Sequence, residues 1–334
     1  MSLKKIAAMT GVSPSTVSRV LNRTSPTCAS EETQDRIWAA AREIGYVPNE
    51  AARRLKTNSY TGTEAWRVTI IMARFTSVNV DPFFAELFRS LEAELLKYKV
   101  VIERVVYAGE PVPKELQDSD GVLILGRCPE LLLEDIAARN ENIVGIWRNS
   151  MEFAVDEVIC DGEKAADMAM EYLLSLGHSK IAYIGDCSYE SRYIGYCNAL
   201  IKNHIAMDYN LIKQTDQTQE EAETAFSELL EGKLSGRRDF SAVLCANDAT
   251  AIRVLEILGK QRKQLKNSIS VISIDDIEAA QNTKPYLTTI RIPIEEMSHM
   301  AVRLLVDRIE GEHRESVRIE FPCKLIERGS CYRE

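Results

Sequence analysis

The feature that most constrains the fold is an alternation of short apolar runs with amphipathic stretches after residue 65. The apolar runs have the length and composition of buried strands. They are residues 68–73, 100–106, 122–126, 143–147, 181–185, 242–245 and 269–274. Between these runs lie amphipathic stretches whose apolar residues have helical spacing. One contains Phe84, Leu87, Phe88, Leu91 and Leu95, and another contains Met168, Tyr172, Leu173 and Leu176. Alternating strands and helices predict parallel sheets covered by helices, and about 270 residues of this pattern predict two lobes.

Charge divides the chain in a way that its total conceals. The 334 residues carry a net charge of −9, which taken alone argues against a nucleic-acid partner. Residues 1–60 contain nine Lys and Arg against five acids, a net +4, so the remainder carries −13. The sequence therefore predicts a small basic head on a large acidic body.

The basic head contains three helical stretches and no strand pattern. The first covers about 3–9, and Gly11 then permits a turn. The second follows Ser13, an N-cap residue, with Pro14 at its first position. The third runs from Ser30 to a stop at Gly45. Inward-facing positions are Leu3, Ile6, Ala7, Val17, Val20, Leu21, Ile37, Ala40, Ala41 and Ile44. Two short helices joined by a glycine turn and closed by a third predict a small all-α helix-turn-helix unit.

The second helix carries a polar face opposite its apolar stripe. Ser15, Ser18, Arg19 and Asn22 lie on that face. Such a helix can enter the major groove of double-stranded DNA, where Arg recognises guanine and small polar side chains bind base edges or phosphates. The alternative is a small helical bundle whose polar face is only solvated.

Motifs for catalysis and metal binding are not found. The eight cysteines include no CxxC pair and the four histidines have no ligand spacing, which predicts reduced thiols, a cytoplasmic protein and no metal. GxGxxG, GxxxxGK[ST] and GxSxG are absent, so neither a cofactor nor an enzyme is expected. No signal peptide and no apolar run of about 18 residues is present, so no membrane partner is expected.

Two head segments, LKKIAAMTGVSPSTVSRVLN and SEETQDRIWAAAREIGYVPNEAARRLKT, resemble the start of lactose-repressor (LacI/GalR-type) regulators. The body resembles the periplasmic-binding-protein-like core of the same family. Its landmarks are DPFF, DGVLILG, LGHSKIAYIG, SRYIGYCNAL, CANDATA, ISVISIDDI and PYLTTIRIP, in order and correctly spaced. The resemblance implies a helix-turn-helix domain at 1–47, a hinge and linker at 48–63, and an effector-binding and dimerisation core at 64–334. Within the core it implies an N-lobe at about 64–161 and 290–318 and a C-lobe at about 162–289 and 319–334.

The resemblance also implies which residues contact DNA. Pro14, Ser15 and Arg19 match positions that contact bases. Thr16, Ser18 and Asn22 match phosphate anchors, and Ser13 begins the same segment. In the hinge, Leu55 matches a residue that inserts into the minor groove as a wedge, and Ala52 is its small neighbour. Arg53 and Lys56 match residues that contact the DNA backbone. The alternative for 49–56 is an extension of the third helix, which Pro48 disfavours.

A third set of residues is implied for a cleft between the lobes, where folds of this kind bind ligands. Arg192, Asn247 and Asp275 match ligand-contacting positions. Phe83, Phe84 and Trp147 could stack on a sugar, and Arg148 and Asp161 are further candidates. Other roles remain open: helix capping for Asp275 and Asp161, a core position for Phe84 and Trp147, and a surface ion pair for Arg192.

These features predict a homodimeric repressor of a carbohydrate-utilisation operon. It would bind a pseudo-palindromic operator under control of a small effector, a sugar or galactoside. The alternative is an α/β sugar-binding protein or sugar-processing enzyme with an accessory basic domain.

Overall fold

The chain forms two compact units, Met1–Glu64 and Ala65–Glu334, in a computed structural model. The described residues are 3–21, 29–30, 32–34, 36–37, 40, 65–74, 81–147, 154–188, 190–216, 218–236, 239–261 and 269–334.

Helices form most of the described ranges of the first unit, and no strand lies among them. Helix α1 covers Leu3–Thr10 and α2 covers Pro14–Leu21, and residues 32–34, 36–37 and 40 are also helical. Gly11, at a φ of 70°, makes the turn between α1 and α2, because this backbone conformation strains residues with a Cβ atom. The small core contains Ile6, Ala7, Val17, Val20, Ile37 and Ala40. The inward positions predicted for these six residues are therefore buried.

The described residues of the second unit form two six-stranded sheets. The strands are β1 (Trp66–Met72), β2 (Val100–Tyr107), β3 (Gly121–Leu125), β4 (Ile143–Trp147), β5 (Asp156–Ile159), β6 (Ile181–Gly185), β7 (Ile212–Gln214), β8 (Ala242–Cys245), β9 (Ser270–Asp275), β10 (Thr288–Arg291), β11 (Arg318–Glu320) and β12 (Lys324–Ile326). The helices are α3 (Pro82–Lys97), α4 (Glu130–Ala137), α5 (Gly162–Ser175), α6 (Ser191–Lys202), α7 (Gln219–Leu234), α8 (Asp248–Gln261) and α9 (Ile294–Ile309). No helix in the described ranges is both long and apolar enough to cross a membrane.

Each sheet defines one lobe. The N-lobe sheet has the order β11-β5-β4-β3-β1-β2, and the C-lobe sheet has the order β12-β10-β9-β8-β6-β7. Every strand pair is parallel except β10 with β12. The prediction of two α/β lobes with parallel sheets is confirmed.

Three crossings connect the lobes. The first lies between β5 and α5, the second between β10 and α9, and the third between β11 and β12. Strand β10 ends in the C-lobe at Arg291, and β11 ends in the N-lobe at Glu320. The last two crossings therefore lie slightly beyond positions 290 and 318, the lobe bounds expected from the sequence. The carboxyl ends of the strands therefore border the region between the lobes.

The apolar stripe of α5 differs from the prediction. Met168 and Tyr172 are only half-buried, and Leu173 is buried. The fully buried face is made largely of alanines: Ala165, Ala166, Ala169, Met170 and Leu173. The reason is the close approach of α6, since a Cβ on Gly195 would lie 2.4 Å from the carbonyl oxygen of Glu163. Small side chains, rather than large ones, therefore form this helix contact.

Candidate functional site

Helix α2 begins at a side-chain cap. The Ser13 hydroxyl accepts a hydrogen bond from the Thr16 amide at 3.1 Å. The Ser13 carbonyl accepts from the amides of Thr16 and Val17, each at 3.0 Å. The Ser13 Oγ also contacts the hydroxyls of Ser15 at 2.7 Å and Thr16 at 2.9 Å. These bonds fix the first turn of α2, where the exposed polar residues lie.

The two faces of α2 differ sharply in exposure. Ser13, Pro14, Ser15 and Arg19 are exposed, and Thr16 is half-buried. Val17 and Val20 are buried in the core of the head. The structure thus brings the predicted base-contacting residues together on an exposed face. Other predicted site residues lie outside the described part of the chain: the side chain of Ser18, and Asn22, Ala52, Arg53, Leu55, Lys56 and Arg148.

The body places a buried ion pair at the carboxyl ends of the C-lobe strands. Arg192, in the first turn of α6, is 2% exposed, and its Nε donates to Glu190 Oε1 at 2.9 Å. Its Nη1 donates to the carbonyl of Ala246, directly after β8. Burial lowers the pKa of Arg192, but the carboxylates of Glu190 and Asp275 outweigh it and hold the pKa above its ordinary value. Arg192 is therefore a fixed cation.

Asp275 ends β9 in an unusual backbone conformation. Its φ is 138° and that of Asp276 is 60°, both rare for residues other than glycine. The Asp276 carboxylate accepts from Arg291 Nε at 2.6 Å and from Arg328 Nη2 at 2.5 Å. These two arginines anchor the strand end. Asp275 itself is 2% exposed, and its negative charge is close enough to raise the pKa of Arg192.

Helix α8 starts beside the same strand ends. The Asn247 Oδ1 accepts from the Thr250 amide at 3.0 Å, which is a capping bond. Asp248 is fully buried, and it accepts from Ser273 and Thr289 hydroxyls and the Ile277 amide. Burial, together with the negative charge of Asp275, raises the pKa of Asp248 to about 8. The carboxyl groups of Asp248 and Asp275 therefore lie close enough to interact electrostatically.

Contacts also cross between the lobes. Arg74, which follows β1, lies 3.4 Å from Asp186 Oδ2 and 3.5 Å from Glu190 Oε2. The Glu86 carboxylate on α3 accepts from the Glu278 amide at 3.0 Å. Burial raises the pKa of Glu86. Sequence reasoning missed Arg74, although its position after a strand end would have pointed to the cleft.

The predicted aromatic residues lie in the core. Phe83 and Phe84 begin α3 after the Asp81 cap, and their rings meet edge to face with centroids 5.2 Å apart. Both are buried, at 4% and 8% exposure. The Phe84 ring approaches Gly126, at the end of β3, where an added Cβ would lie 3.2 Å away. Phe84 therefore lies at the carboxyl end of a strand even though it packs in the core.

Trp147 turns back along its own sheet. Its Nε1 donates to Glu157 Oε1 at 3.0 Å, on the neighbouring strand β5. The ring covers Gly145, where a Cβ would come within 2.0 Å of it. Gly145 pairs with Glu157 in the sheet, so the ring extends away from the carboxyl end of β4. This packing favours the core role for Trp147 over ligand stacking.

Asp161 is an N-cap. Its Oδ1 accepts from the amides of Glu163 at 2.8 Å and Lys164 at 3.2 Å, which begin α5. It lies on the first crossing between the lobes, and its carboxylate is engaged by the helix. This favours the capping alternative.

Known protein families match both parts of the chain. Residues 2–49 match the family described as bacterial regulatory proteins, lacI family, and residues 170–331 match the periplasmic binding protein-like domain. The chain is 30% identical to the HTH-type transcriptional repressor CytR of Escherichia coli (strain K12), covering 98% of this chain and 96% of the relative. It is 26% identical to the HTH-type transcriptional repressor MelR of Bacillus subtilis (strain 168), covering 98% and 97%.

Solved structures show the same two-part architecture. A transcriptional regulator CelR–cellobiose complex matches with a TM-score of 0.66 and 27% identity, over 99% of each chain. The lac repressor dimer bound to operator and the anti-inducer ONPF matches with a TM-score of 0.65 and 21% identity, also over 99% of each chain. The second similarity supports the fold alone.

Proposed function

Because the chain belongs to the lacI family of bacterial regulatory proteins and is a DNA-binding transcriptional regulator, we propose that it represses a carbohydrate-utilisation operon under control of a sugar-like effector. It binds operator DNA as a dimer, as its family does. The proposed effector site is the cleft between the lobes, and the proposed DNA-contacting surface is the exposed face of α2.

The observation that carries the effector proposal is the buried Arg192–Glu190 pair beside Asp275. A sugar hydroxyl needs both a donor and an acceptor, and fixed charged groups of each sign supply them. The regulator CelR has been solved with cellobiose, and this chain matches that structure over 99% of its length. A hydroxyl-rich, uncharged ligand is the class that we propose.

For DNA, we propose that Ser15 and Arg19 contact bases while Ser13 and Thr16 position the helix at the backbone. All four lie on or beside the first turns of α2, and Ser15 and Arg19 are exposed. Arg19 can bind guanine through two hydrogen bonds in the major groove. Leu55 remains a proposed minor-groove wedge from the sequence alone.

The proposed control is a linkage between the two sites. An effector that binds one arrangement of the lobes better changes the population of that arrangement, and operator affinity changes with it. By thermodynamic necessity, operator DNA alters effector affinity by the same factor. The alternative is an enzymatic activity; the similar proteins CytR and MelR are named as transcriptional repressors, which favours regulation.

Two experiments test this function with the full-length protein. Selection from a random duplex library should return a sequence with two-fold symmetry, bound tightly in a gel-shift titration. A thermal-shift screen of neutral mono- and disaccharides, galactosides included, should raise the melting temperature for a small subset. The proposal fails for DNA if no sequence is enriched, and for the effector if no sugar shifts the melting temperature or alters operator binding.

A further inference from the structure

Two cysteines meet where two of the three lobe crossings run side by side. Cys160 directly follows β5, and Cys323 lies between β11 and β12. Strands β5 and β11 pair in parallel, and the Phe321 amide donates to the carbonyl of Ile159 at 2.9 Å just beyond the last pair. The Cys323 thiol is in hydrogen-bond contact with that of Cys160. The pair therefore joins two separate crossings.

The surroundings of the pair suit oxidation. Cys160 is fully buried, whereas Cys323 is half-buried and within reach of a small oxidant. The hydrogen bond with Cys160 lowers the pKa of Cys323 and outweighs both burial and the negative charge of Asp161, which raise it. The thiolate is the reactive form of cysteine. At Cys187 the effect of burial prevails and raises the pKa of the thiol to about 12.

We propose that Cys160 and Cys323 form a reversible disulfide on exposure to hydrogen peroxide, which fastens the two crossings and restricts the relative movement of the lobes. The Cys323 thiolate attacks one peroxide oxygen and, with a proton, releases water and leaves a sulfenic acid. The Cys160 thiol then attacks that sulfur, and a second water leaves as the S–S bond forms. Overall, two thiols are oxidised by one peroxide, which is reduced to two waters.

The bond would act on the crossings between the lobes rather than on the groups proposed to bind the ligand. The Cys160–Cys323 link closes a chain segment that contains most of the C-lobe, and Asp161, the cap of α5, follows Cys160 directly. Lobe movement requires the crossings to change conformation. Formation of the disulfide therefore does not depend on which ligand occupies the cleft or on which DNA the head binds.

The test treats the folded, full-length protein with hydrogen peroxide, blocks remaining thiols with iodoacetamide, and maps the peptides by mass spectrometry. We expect one cross-linked peptide that joins Cys160 to Cys323, which dithiothreitol separates. We also expect the oxidised protein to melt roughly 5 °C or more above the reduced protein, because a long-range disulfide constrains the unfolded chain.

Variants separate this pair from general oxidation. Cys323→Ser and Cys160→Ala should each abolish the cross-link and the melting shift, while Cys187→Ser should keep both. Circular dichroism of the untreated variants shows whether each remains folded, and either folded variant suffices. Over-oxidation of Cys323 alone, a cross-link between other cysteines, or a cross-link that leaves the melting temperature unchanged would each overturn the proposal.

Discussion

Arg192 and Glu190 form an ion pair in which both side chains are almost fully buried, 2% and 8% exposed, with 2.9 Å between Nε and Oε1. The pair lies at the carboxyl ends of the C-lobe strands, and Arg192 also donates to the Ala246 carbonyl. It therefore supports the strand ends structurally, in addition to its proposed role in binding a ligand. Removing the charge of Glu190 should therefore cost stability.

Glu190→Gln should lower the free energy of unfolding by about 3 kcal/mol, because it leaves the buried Arg192 cation without its closest counter-charge. Urea unfolding followed by circular dichroism measures this. Arg67→Ala is the control, since it breaks a pair with Glu103 whose side chains are 54% and 38% exposed. We expect the control to cost less than about 1 kcal/mol. Equal losses in the two variants would contradict a buried pair.

The contact of Arg74 with Asp186 and Glu190 should hold the lobes together in the absence of ligand. Arg74→Ala should increase amide hydrogen exchange in residues 185–192 by up to about fivefold, because a partly exposed ion pair contributes at most about 1 kcal/mol. Arg89→Ala on α3 is a matched control, since Arg89 Nε donates to the Ala85 carbonyl of its own helix at 3.2 Å. If amide hydrogen exchange in residues 185–192 is the same in both variants, Arg74 does not hold the lobes together.

Gly145→Ala should destabilise the N-lobe by about 1–3 kcal/mol, because the new Cβ would overlap the rigid ring of Trp147. For Gly259→Ala in α8 we expect the opposite effect, a gain in stability. Its Cβ would meet nothing within 4 Å, and replacing a helical glycine stabilises by up to about 1 kcal/mol. Denaturant unfolding monitored by tryptophan fluorescence compares the two variants. A neutral Gly145→Ala would show that the ring can move aside.

The Trp147 packing illustrates what sequence reasoning could and could not supply. Strands 143–147, 181–185 and 242–245 were predicted with the observed bounds, because continuous apolar runs between polar residues mark buried parallel strands. The direction of the Trp147 side chain depends on Gly145, two residues earlier on the same face of β4, and on Glu157 of the neighbouring strand. The strand period places Gly145 on that face, but it does not show that the ring folds back over Gly145 to reach Glu157. The short strands β7, β11 and β12 are only partly buried, so their sequences carry little apolar pattern.

The candidate cleft was predicted only in part for a similar reason. The resemblance implies Arg192 and Asp275 as ligand contacts, and that role stays a prediction. Arg74 and Glu86 acquire their partners only when the two lobes come together, across more than 100 residues of chain. Capping roles of Asn247 and Asp161 follow from local spacing, since each is followed within three residues by the amide that it binds. Long-range charge contacts have no such local signature.

Asp248 should make stability depend on pH. Its folded-state pKa of about 8 lies above the ordinary value, so between about pH 4 and 8 the folded protein binds more protons than the unfolded chain. This contribution is full below about pH 4 and is lost as the pH rises to 8, at no more than about 1.4 kcal/mol per pH unit. Asp248→Asn should flatten the decline in the free energy of unfolding between pH 5.5 and pH 8, pH values chosen at roughly the middle and top of that window.

The control for this pH dependence is Asp239→Asn. Hydrogen bonds from Lys180 and Lys233 lower the pKa of Asp239, so its contribution is complete above its ordinary pKa and changes little in the same window. Urea titrations at each pH give the free energies. A slope that Asp248→Asn leaves unchanged would mean that this carboxyl group is ionised throughout the window.

Arg19→Ala should weaken specific DNA binding by about 5- to 150-fold, because a bidentate contact to guanine contributes about 1–3 kcal/mol of discrimination. Val17 and Val20 bury the opposite face of α2, so the exposed Arg19 can be removed without disturbing the small core. Binding to non-specific duplex should change much less. Lys5→Ala, an exposed cation on α1, is the control for lost charge. Gel-shift titrations of selected and scrambled duplexes at one salt concentration distinguish the two effects. If Arg19→Ala weakens both duplexes equally, Arg19 contributes charge and not base recognition.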